Sequence, residues 1–354
     1  MVNLLDLSTE ELKQELLKFG EAGFRAKQLF GWLHKGCDFD EMPNMPKALC
    51  NRLKADYIAN PVEIMQKIVS KQDGTTKFLY KLPDNNVIEG VLMKYKYGNT
   101  LCVSTQVGCR MGCVFCASGI DGLIRNLTAG EILGQVVAVN RFLGGNLIDR
   151  EVTNVVLMGS GEPLDNYDNV TKFFSLLGEK DGINISLRNV SLSTSGICPN
   201  IYRLADEGYH ATLTISLHSP DNEYRSSIMP VNKKYPVEEL IKAAKYYFEK
   251  TGRRVIFEYC LIDNVTDGSN NCRLLAKLIK GFPSHVNIIR LNPVEERSLK
   301  GVGEDRAKEF LKELEKLGVS ATIRRTMGRD IDGACGQLRR KFIKEGIVQL
   351  KEES

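Results

Sequence analysis

Apolar positions along the chain follow three different spacings, one after another. Before residue 60 they recur every three or four residues and predict three helices, the first opened by a capping box that begins at Ser8. Between about 61 and 100 they alternate with polar residues, which predicts strands and a hairpin turning at Asp73 and Gly74. We therefore expect a small N-terminal helical accessory domain over 1–60 and a β-strand extension and linker over 61–100.

After residue 100 the pattern becomes a repeat of one apolar strand and one amphipathic helix. One strand leads into the repeat at 101–105, and the six that follow lie at 154–158, 189–193, 211–217, 254–261, 286–291 and 320–324. Strands that alternate with helices are typical of a parallel sheet. We expect an α/β domain over 101–346 and a tail over 347–354, with functional residues at the carboxyl ends of the strands.

Composition narrows the class of protein without identifying a partner. The 354 residues are 43% hydrophobic, enough for a sizeable core, and their formal net charge of +4 does not by itself require nucleic acid. No apolar run has membrane-spanning length and no signal-peptide pattern follows Met1, so the ten cysteines are interpreted as reduced thiols. We expect a cytoplasmic protein that does not enter a membrane, with a monomer as the default.

Three of the ten cysteines form a compact metal-binding motif. Cys109, Cys113 and Cys116 have the spacing C-x-x-x-C-x-x-C, with Phe115 just before the last of them. Three thiolates on one loop can bind a 4Fe-4S cluster and leave one iron open to another ligand. Zinc and plain buried cysteine are the alternatives, although structural zinc usually has four protein ligands in two spaced pairs. The motif resembles the signature of the radical S-adenosylmethionine (SAM) superfamily, in which the open iron binds SAM.

Glycines and polar residues stand at or just beyond the ends of several predicted strands. The candidate ligand-binding residues among them are Gly161, Glu162, Ser193, Ser216, His218 and Asn292. Glycine lets a ligand approach the backbone, a glutamate can accept from an ammonium group, and serine or asparagine can bond a ribose or a carboxylate. Each has a purely structural explanation, but together they predict a SAM pocket at one edge of the sheet.

A glycine-punctuated loop after the last predicted strand carries a candidate nucleophile, Cys335. Between 320 and 351 there are eight Lys or Arg against three Asp or Glu. Positive charge lowers the pKa of a thiol and favours a phosphate-bearing substrate. Two residues earlier in the chain have ordinary structural explanations. Glu89 could face water from its strand, and Cys102 could be a small buried hydrophobe.

Together these motifs resemble one family over nearly the whole chain, the dual-specificity RlmN methyltransferases that modify adenine carbon-2 in 23S rRNA and tRNA. The resemblance rests on the segments at 23–28, 102–109, 125–131, 161–163, 192–196, 216–218 and 330–336. Ser160 departs from the pattern, because many relatives have methionine there. The resemblance implies an incomplete (β/α)6 radical SAM barrel with a helical RNA-binding domain at the N-terminus and a β-hairpin extension.

The resemblance also implies a role for each candidate residue. Cys109, Cys113 and Cys116 would hold the 4Fe-4S cluster. Cys335 would carry the methyl group as S-methylcysteine, Cys102 would be the resolving thiol that forms a transient disulfide with Cys335, and Glu89 would accept a proton. SAM would be contacted by Gly161, Glu162, Ser193, Ser216, Leu217, His218 and Asn292.

The chemistry implied by the family consumes two SAM molecules per turnover, one as methyl donor and one as the source of a 5'-deoxyadenosyl radical. Carbon-2 of adenine is electron-poor, so methylation proceeds through a radical and a protein–RNA adduct, and an external electron donor such as flavodoxin or ferredoxin is needed. The alternative is the sister family that methylates carbon-8 and confers antibiotic resistance. Pro163 favours the carbon-2 family, because relatives in the carbon-8 family often lack this proline. A more distant alternative is a non-catalytic metal-dependent RNA-binding module, which would need neither the SAM pocket nor Cys335.

Overall fold

The structure, a computed structural model, describes residues 1–291 and 299–331. Its strands are β1 (Val2–Asn3), β2 (Tyr57–Ile58), β3 (Glu63–Val69), β4 (Thr76–Lys81), β5 (Val87–Tyr95), β6 (Gly98–Cys102), β7 (Gln106–Gly108), β8 (Leu123–Asn126), β9 (Val152–Leu157), β10 (Val190–Thr194), β11 (Thr212–Ser216), β12 (Val255–Leu261), β13 (Ser284–Arg290) and β14 (Ala321–Ile323). Its α-helices are α1 (Thr9–Leu17), α2 (Phe24–His34), α3 (Lys47–Asp56), α4 (Ala129–Phe142), α5 (Tyr167–Gly178), α6 (Cys198–Asp206), α7 (Asn222–Ile228), α8 (Val237–Thr251), α9 (Ser269–Leu278) and α10 (Glu304–Lys316).

The three N-terminal helices are present and dock on the rest of the chain. The capping box forms, because the Glu11 amide donates to the Ser8 hydroxyl at 3.2 Å and the Ser8 amide donates to the Glu11 carboxylate at 2.7 Å. The start of the chain is tied to α4 by a hydrogen bond of 2.6 Å from the Gly130 amide to Asp6. A side chain at position 130 would collide with Asn3, so the close approach requires glycine.

Ten strands form one continuous sheet, in the order β14-β13-β12-β11-β10-β9-β6-β5-β4-β3. From β6 to β14 all neighbours are parallel, and from β6 to β3 all are antiparallel. The parallel part contains the leading strand and the six repeats that the sequence predicts, and the α/β class is confirmed. The leading strand begins at Gly98 rather than 101, so the strands of the extension continue directly into the parallel sheet.

The two edges of this sheet approach each other without pairing. After β14, the Gly328 amide donates to Asp73 in the β3–β4 turn at 2.8 Å, and the Ser70 hydroxyl donates to Asp330 at 2.6 Å. No strand ladder closes the gap within the part of the chain that the structure describes. The result is an open barrel. The β3–β4 and β5–β6 hairpins form one side of the gap, and β13 and β14 form the other. We call this gap the seam.

A two-stranded ribbon and a short helix were not predicted from the sequence, and neither was the parallel pair of β1 and β2. Strands β7 and β8 pair with each other as a two-stranded ribbon around the cysteine motif, and α7 follows β11. The strands have three and four residues and the helix seven, so each is too short to develop a recognisable period. Over 1–291 and 299–331, none of the helices combines the length and apolar character needed to cross a bilayer.

Candidate cofactor site

The three motif cysteines lie on a loop whose ends are held together by the β7–β8 ribbon. The Cys109 amide, just after β7, donates to the Gly122 carbonyl at 2.8 Å. Gly108 has a φ of +79°, and a side chain there would collide with the Gly122 oxygen, so glycine is required. In the middle of the loop the Val114 amide donates to the Ile228 carbonyl at 3.0 Å. The loop is therefore fixed both at its neck and against the end of α7.

A cavity of about 310 Å³ separates this loop from the carboxyl ends of the parallel strands. All three motif cysteines line it, together with five of the residues expected to contact SAM: Gly161, Glu162, Ser193, Ser216 and His218. The volume is in the range of small-molecule sites. The fold thus brings the cysteine motif and most of the strand-end residues into one space.

Among the described residues expected to contact SAM, Leu217 alone is missing from this lining. The Leu217 side chain is fully buried, and its carbonyl oxygen accepts a hydrogen bond of 3.0 Å from Arg225. Its position leaves only its backbone available for a ligand. Asn292 and Cys335 lie outside the described residues.

Two thiols of this loop, those of Cys109 and Cys113, resist ionisation in the absence of a bound cation. Burial raises the pKa of Cys109 to about 12, and the nearby Glu162 and Cys116 oppose ionisation further. Burial, followed by the neighbouring thiols, also raises the pKa of Cys113. An iron–sulfur centre supplies the positive charge that thiolates need. The donor set therefore fits such a centre.

The same loop does not fit a single metal ion. Among residues 1–291 and 299–331, no group of three His, Cys, Asp or Glu side chains converges closely enough to bind one ion. In a cluster each thiolate binds a different iron, so the sulfurs stand further apart than around one zinc ion. The arrangement favours the cluster over the zinc alternative.

Glu162 is placed at the cavity by two backbone donors and a glycine. Its carboxylate accepts from the Leu164 amide at 3.0 Å and from the Ser195 amide at 2.6 Å. Gly161 has a φ of +111°, and a Cβ atom there would lie 2.7 Å from Thr105 and Gln106. Burial nevertheless raises the pKa of Glu162. A carboxylate has further lone pairs beyond these two bonds, so Glu162 can also accept hydrogen bonds from an ammonium group. The positive charge of that group would in turn stabilise the ionised carboxylate.

His218 lines the cavity as a neutral imidazole. Its backbone φ is +56°, in the left-handed region, and its ring meets Phe115 edge-on with the centroids 4.8 Å apart. The Cys260 amide donates to Nδ1 at 3.2 Å, and burial lowers the pKa of the ring to about 3. Because Nδ1 accepts, the single proton of the neutral ring is on Nε2. The side chain can therefore donate one hydrogen bond to a ligand.

Arg225 braces the strand ends from behind the cavity and was not predicted from the sequence. It is fully buried on α7 and donates to the carbonyls of Ser195 at 2.7 Å, Ser216 at 3.1 Å and Leu217 at 3.0 Å. A fourth hydrogen bond of 2.8 Å goes to Asn232. Burial lowers its pKa to about 10, which still leaves it charged at neutral pH. One guanidinium thus fixes the ends of β10 and β11 relative to each other.

Glu258 is a second lining residue that was not predicted. It is 3% exposed on β12, opposite Ser216 of β11, and its Oε1 accepts from Asn287 at 3.2 Å. The Arg324 guanidinium lies 3.6 Å from its Oε2, and no donor among the described residues comes within hydrogen-bonding distance of that oxygen. Burial raises its pKa. An acidic residue inside an apolar strand was a signal that could have identified it.

Glu89 and Cys102 are buried and are not among the residues that line the cavity. Glu89 is buried and forms an ion pair of 3.1 Å with the equally buried Lys77, so the suggestion that it faces water is wrong. Cys102 is buried too, in a cluster whose neighbours include Met158, which also lines the cavity, and Met327. Cys102 is therefore one side chain away from the cavity and beside the segment that leads to Cys335.

These features define a radical SAM enzyme, and comparison with known proteins agrees. Residues 103–271 match the family model of the radical SAM superfamily, and residues 2–58 match the model of the ribosomal RNA large subunit methyltransferase N-terminal domain. A solved structure described as a radical SAM methyltransferase from Sphaerobacter thermophilus is 42% identical, with a TM-score of 0.91 over 95% of this chain and 99% of that one. The radical SAM fold expected from the sequence is confirmed.

Full-length relatives identify the family within that class. A protein of Clostridium tetani named probable dual-specificity RNA methyltransferase RlmN is 48% identical over 351 residues, 99% of each chain. A protein of Caldanaerobacter subterraneus with the same name is 47% identical over 348 residues, 98% of this chain and all of its own. The chain belongs to the RlmN family of radical SAM RNA methyltransferases, as predicted. With that membership come a 4Fe-4S cluster and SAM as cofactors.

Proposed function

We propose that this enzyme methylates carbon-2 of adenosine in 23S rRNA and in tRNA. The observation that carries the proposal is the meeting of the cysteine loop with Glu162, Ser193 and Ser216 in one cavity that lies beside Cys102. Full-length similarity to proteins named as dual-specificity RNA methyltransferases supports the substrate class. The enzyme acts in the cytoplasm as a monomer and takes electrons from an external donor such as flavodoxin or ferredoxin.

The cofactor residues have separate tasks in this proposal. Cys109, Cys113 and Cys116 hold the cluster, and bound cluster and SAM together supply a 5'-deoxyadenosyl radical. Glu162 accepts hydrogen bonds from the SAM ammonium group, because its carboxylate is already oriented by two amides. Ser193, Ser216, the Leu217 backbone, the His218 Nε2–H and Asn292 complete the contacts with SAM.

The segment after β14 supports the pairing of Cys335 with Cys102. Met327 packs in the cluster around Cys102, and the chain is then tied to the β3–β4 turn by the contacts of Gly328 and Asp330. Cys335 follows Asp330 by five residues, a span of at most about 18 Å.

In the reaction that we propose, Cys335 first takes a methyl group from SAM and then gives up one hydrogen atom of that group to the 5'-deoxyadenosyl radical. The resulting carbon bonds to carbon-2 of adenine, and the adduct passes one electron back to the cluster. Glu89 accepts the proton that leaves carbon-2. The Cys102 thiolate attacks the Cys335 sulfur, the new disulfide forms, and the carbon–sulfur bond breaks with its electron pair moving to the methylated base, which takes up a proton. An external reductant returns the disulfide to two thiols.

The domain division follows the same proposal. Residues 1–60 form an accessory domain that helps to bind RNA, 61–100 are the β extension, 101–346 are the catalytic barrel and 347–354 are a tail. The match of residues 2–58 to a ribosomal RNA methyltransferase N-terminal domain supports a role in RNA binding for the first unit.

Transfer of a labelled methyl group tests the proposal and the carrier role together. Anaerobically reconstituted enzyme is incubated with methyl-labelled SAM, reductant and unmodified RNA, and the label is followed in protein and RNA. We expect label first on Cys335 and then in RNA, and no label in either from Cys335→Ala. Normal RNA labelling by that variant would contradict the carrier role, and 5'-deoxyadenosine release without any labelled RNA would contradict the substrate.

A further inference from the structure

A groove lined by cationic side chains runs along the seam of the barrel. One side of it is formed by Asp73 in the β3–β4 turn and Lys94 on β5. The other side is formed by the ends of β13 and β14 and by the first turns of α10. Six cationic side chains line it, and they are Lys94, Arg290, Lys308, Arg324, Arg325 and Arg329. The function proposed above uses none of them. We call this feature the seam groove.

The carboxylates in the seam groove are too few to neutralise these cations. Glu304 lies 2.8 Å from Lys308 and 3.9 Å from Arg290. Asp73 accepts from the Gly328 amide at 2.8 Å, and despite the opposing effect of burial its hydrogen bonds lower its pKa to about 2. Among the residues that the structure describes they are the two acidic members of the lining, so an excess of positive charge remains in this part of the groove. A surface of this kind attracts a polyanion.

Arg290 shows that the seam groove is more than a set of solvated surface charges. It is the last residue of β13, and its side chain is 21% exposed. Within 1–291 and 299–331 its buried Nε finds no hydrogen-bond acceptor. A buried donor that lacks an acceptor is costly, so a small movement that brings this guanidinium to a bound anion such as a phosphate oxygen would gain a charge-assisted hydrogen bond.

Arg324 connects the seam groove with the cofactor cavity. It lines both, and its guanidinium lies 3.6 Å from Glu258 inside the cavity. A chain bound along the groove would therefore pass the mouth of the site where the radical is formed. This adjacency is what a substrate needs if one of its nucleotides is to enter the cavity.

Two tyrosines on the β5–β6 hairpin give the same region a surface for bases. The rings of Tyr95 and Tyr97 stack with their centroids 5.0 Å apart and an interplanar angle of 5°, and Tyr97 is 72% exposed. Burial raises the pKa of Tyr95, while Arg324 and Arg325 are near enough to oppose that rise. Unpaired bases stack on exposed aromatic rings of this kind, and base-stacking on such rings is widespread in single-stranded nucleic-acid sites.

We propose that the seam groove binds the RNA backbone next to the target adenosine and that Tyr97 stacks on a neighbouring unpaired base. The inference rests on the proposed function, because it assumes that RNA is the substrate. An acidic electron-donor protein would also be attracted by the cations, but the stacked tyrosine pair favours a ligand with bases.

The double variant Arg325→Gln and Lys308→Gln tests the phosphate contacts. Neither side chain lines the cofactor cavity. The matched control is Arg273→Gln and Lys280→Gln, two exposed cations at the opposite, amino-terminal ends of β13 and β14. Binding of a fluorescent RNA hairpin with an unpaired adenosine in its loop is measured with the full-length holoenzyme at several salt concentrations.

We expect the groove variant to bind the hairpin roughly tenfold or more weakly at low salt, with the slope of log K against log salt reduced by about 1.4 for two lost single-strand contacts. Tyr97→Ala should weaken binding by about fivefold or more with little change in slope, and Tyr97→Phe should restore it. The control should match the wild type. All three groove and tyrosine variants should bind SAM as the wild type does.

The possible outcomes separate this inference from the proposed function. If the groove variant binds the hairpin with the affinity and salt slope of the control, the inference is overturned and the proposed function stands. If it keeps its RNA affinity but accepts electrons more slowly from an acidic flavodoxin, the groove is a protein-docking site and the inference is again overturned. Wild-type enzyme that binds RNA through the groove but methylates none would contradict the proposed function alone.

Discussion

The buried Arg225 offers the sharpest test of how the fold shapes the cofactor cavity. Replacement by methionine keeps much of its volume but removes all four hydrogen bonds to Ser195, Ser216, Leu217 and Asn232. Because three of the acceptors are carbonyls at or next to the ends of β10 and β11, we expect the cavity to lose its shape along with part of the stability of the fold.

The size of the effect follows from the number and burial of these bonds. A hydrogen bond from a charged group contributes about 1.5–3 kcal/mol, and disrupting one side of a buried charged network typically costs about 3–5 kcal/mol, since the losses are not additive. A typical domain is stable by about 5–15 kcal/mol, so the variant should still fold. With a urea dependence of about 3 kcal/mol per molar, the midpoint should fall by about 1–1.7 M.

Urea unfolding followed by circular dichroism gives the midpoint, and equilibrium dialysis of the anaerobic holoenzyme gives the affinity for SAM. Arg225→Lys should lie between the wild type and the methionine variant, because an ammonium group cannot span the same acceptors as a guanidinium fork. The exposed Arg273→Met is the control and should leave both values unchanged. Wild-type values for Arg225→Met in both assays would refute the reasoning.

Three further predictions concern other parts of the molecule. Glu258→Gln should weaken SAM binding in equilibrium dialysis about tenfold, because a charged acceptor is lost; a dissociation constant within twofold of wild type would contradict a contact with the cofactor. Cys102→Ala should trap a protein–RNA adduct visible as a retarded band, and a folded variant that forms none would remove the resolving role. Burial lowers the pKa of His34 from 6.5 to about 3, so the stability that depends on its neutral ring is present above pH 6.5 and is lost as the pH falls towards 3, with a loss of about 2 kcal/mol by pH 5. His34→Gln should remove this part of the acid sensitivity of the urea midpoint. An unchanged pH dependence in that variant would contradict the prediction.

Local patterns were sufficient for most of the fold. The alternation of apolar strands and amphipathic helices predicts the parallel sheet because each unit is long enough to show its period. The spacing of Cys109, Cys113 and Cys116, and the glycine and glutamate at 161–162, identify the cavity because strand ends of a parallel sheet share one edge. The short β7–β8 ribbon and α7 lack that length and were missed.

The remaining parts of the site depend on contacts between distant segments. Arg225 looks like an ordinary charged residue in the sequence, and only the return of α7 beneath the strand ends makes it a brace. The ion pair of Lys77 with Glu89 joins two neighbouring strands and replaces the solvent-facing interpretation of Glu89. The seam groove arises because the chain after β14 returns to the β3–β4 turn, 255 residues earlier for Gly328 and Asp73.

The most direct test of the central claim is mass spectrometry of RNA nucleosides after anaerobic turnover. Reconstituted enzyme is given SAM, a reductant and either an unmodified 23S rRNA fragment or unmodified tRNA. We predict 2-methyladenosine in both RNAs. Formation of 8-methyladenosine would contradict the carbon-2 assignment in favour of the sister family, and release of 5'-deoxyadenosine with neither product would contradict the assignment of the substrate.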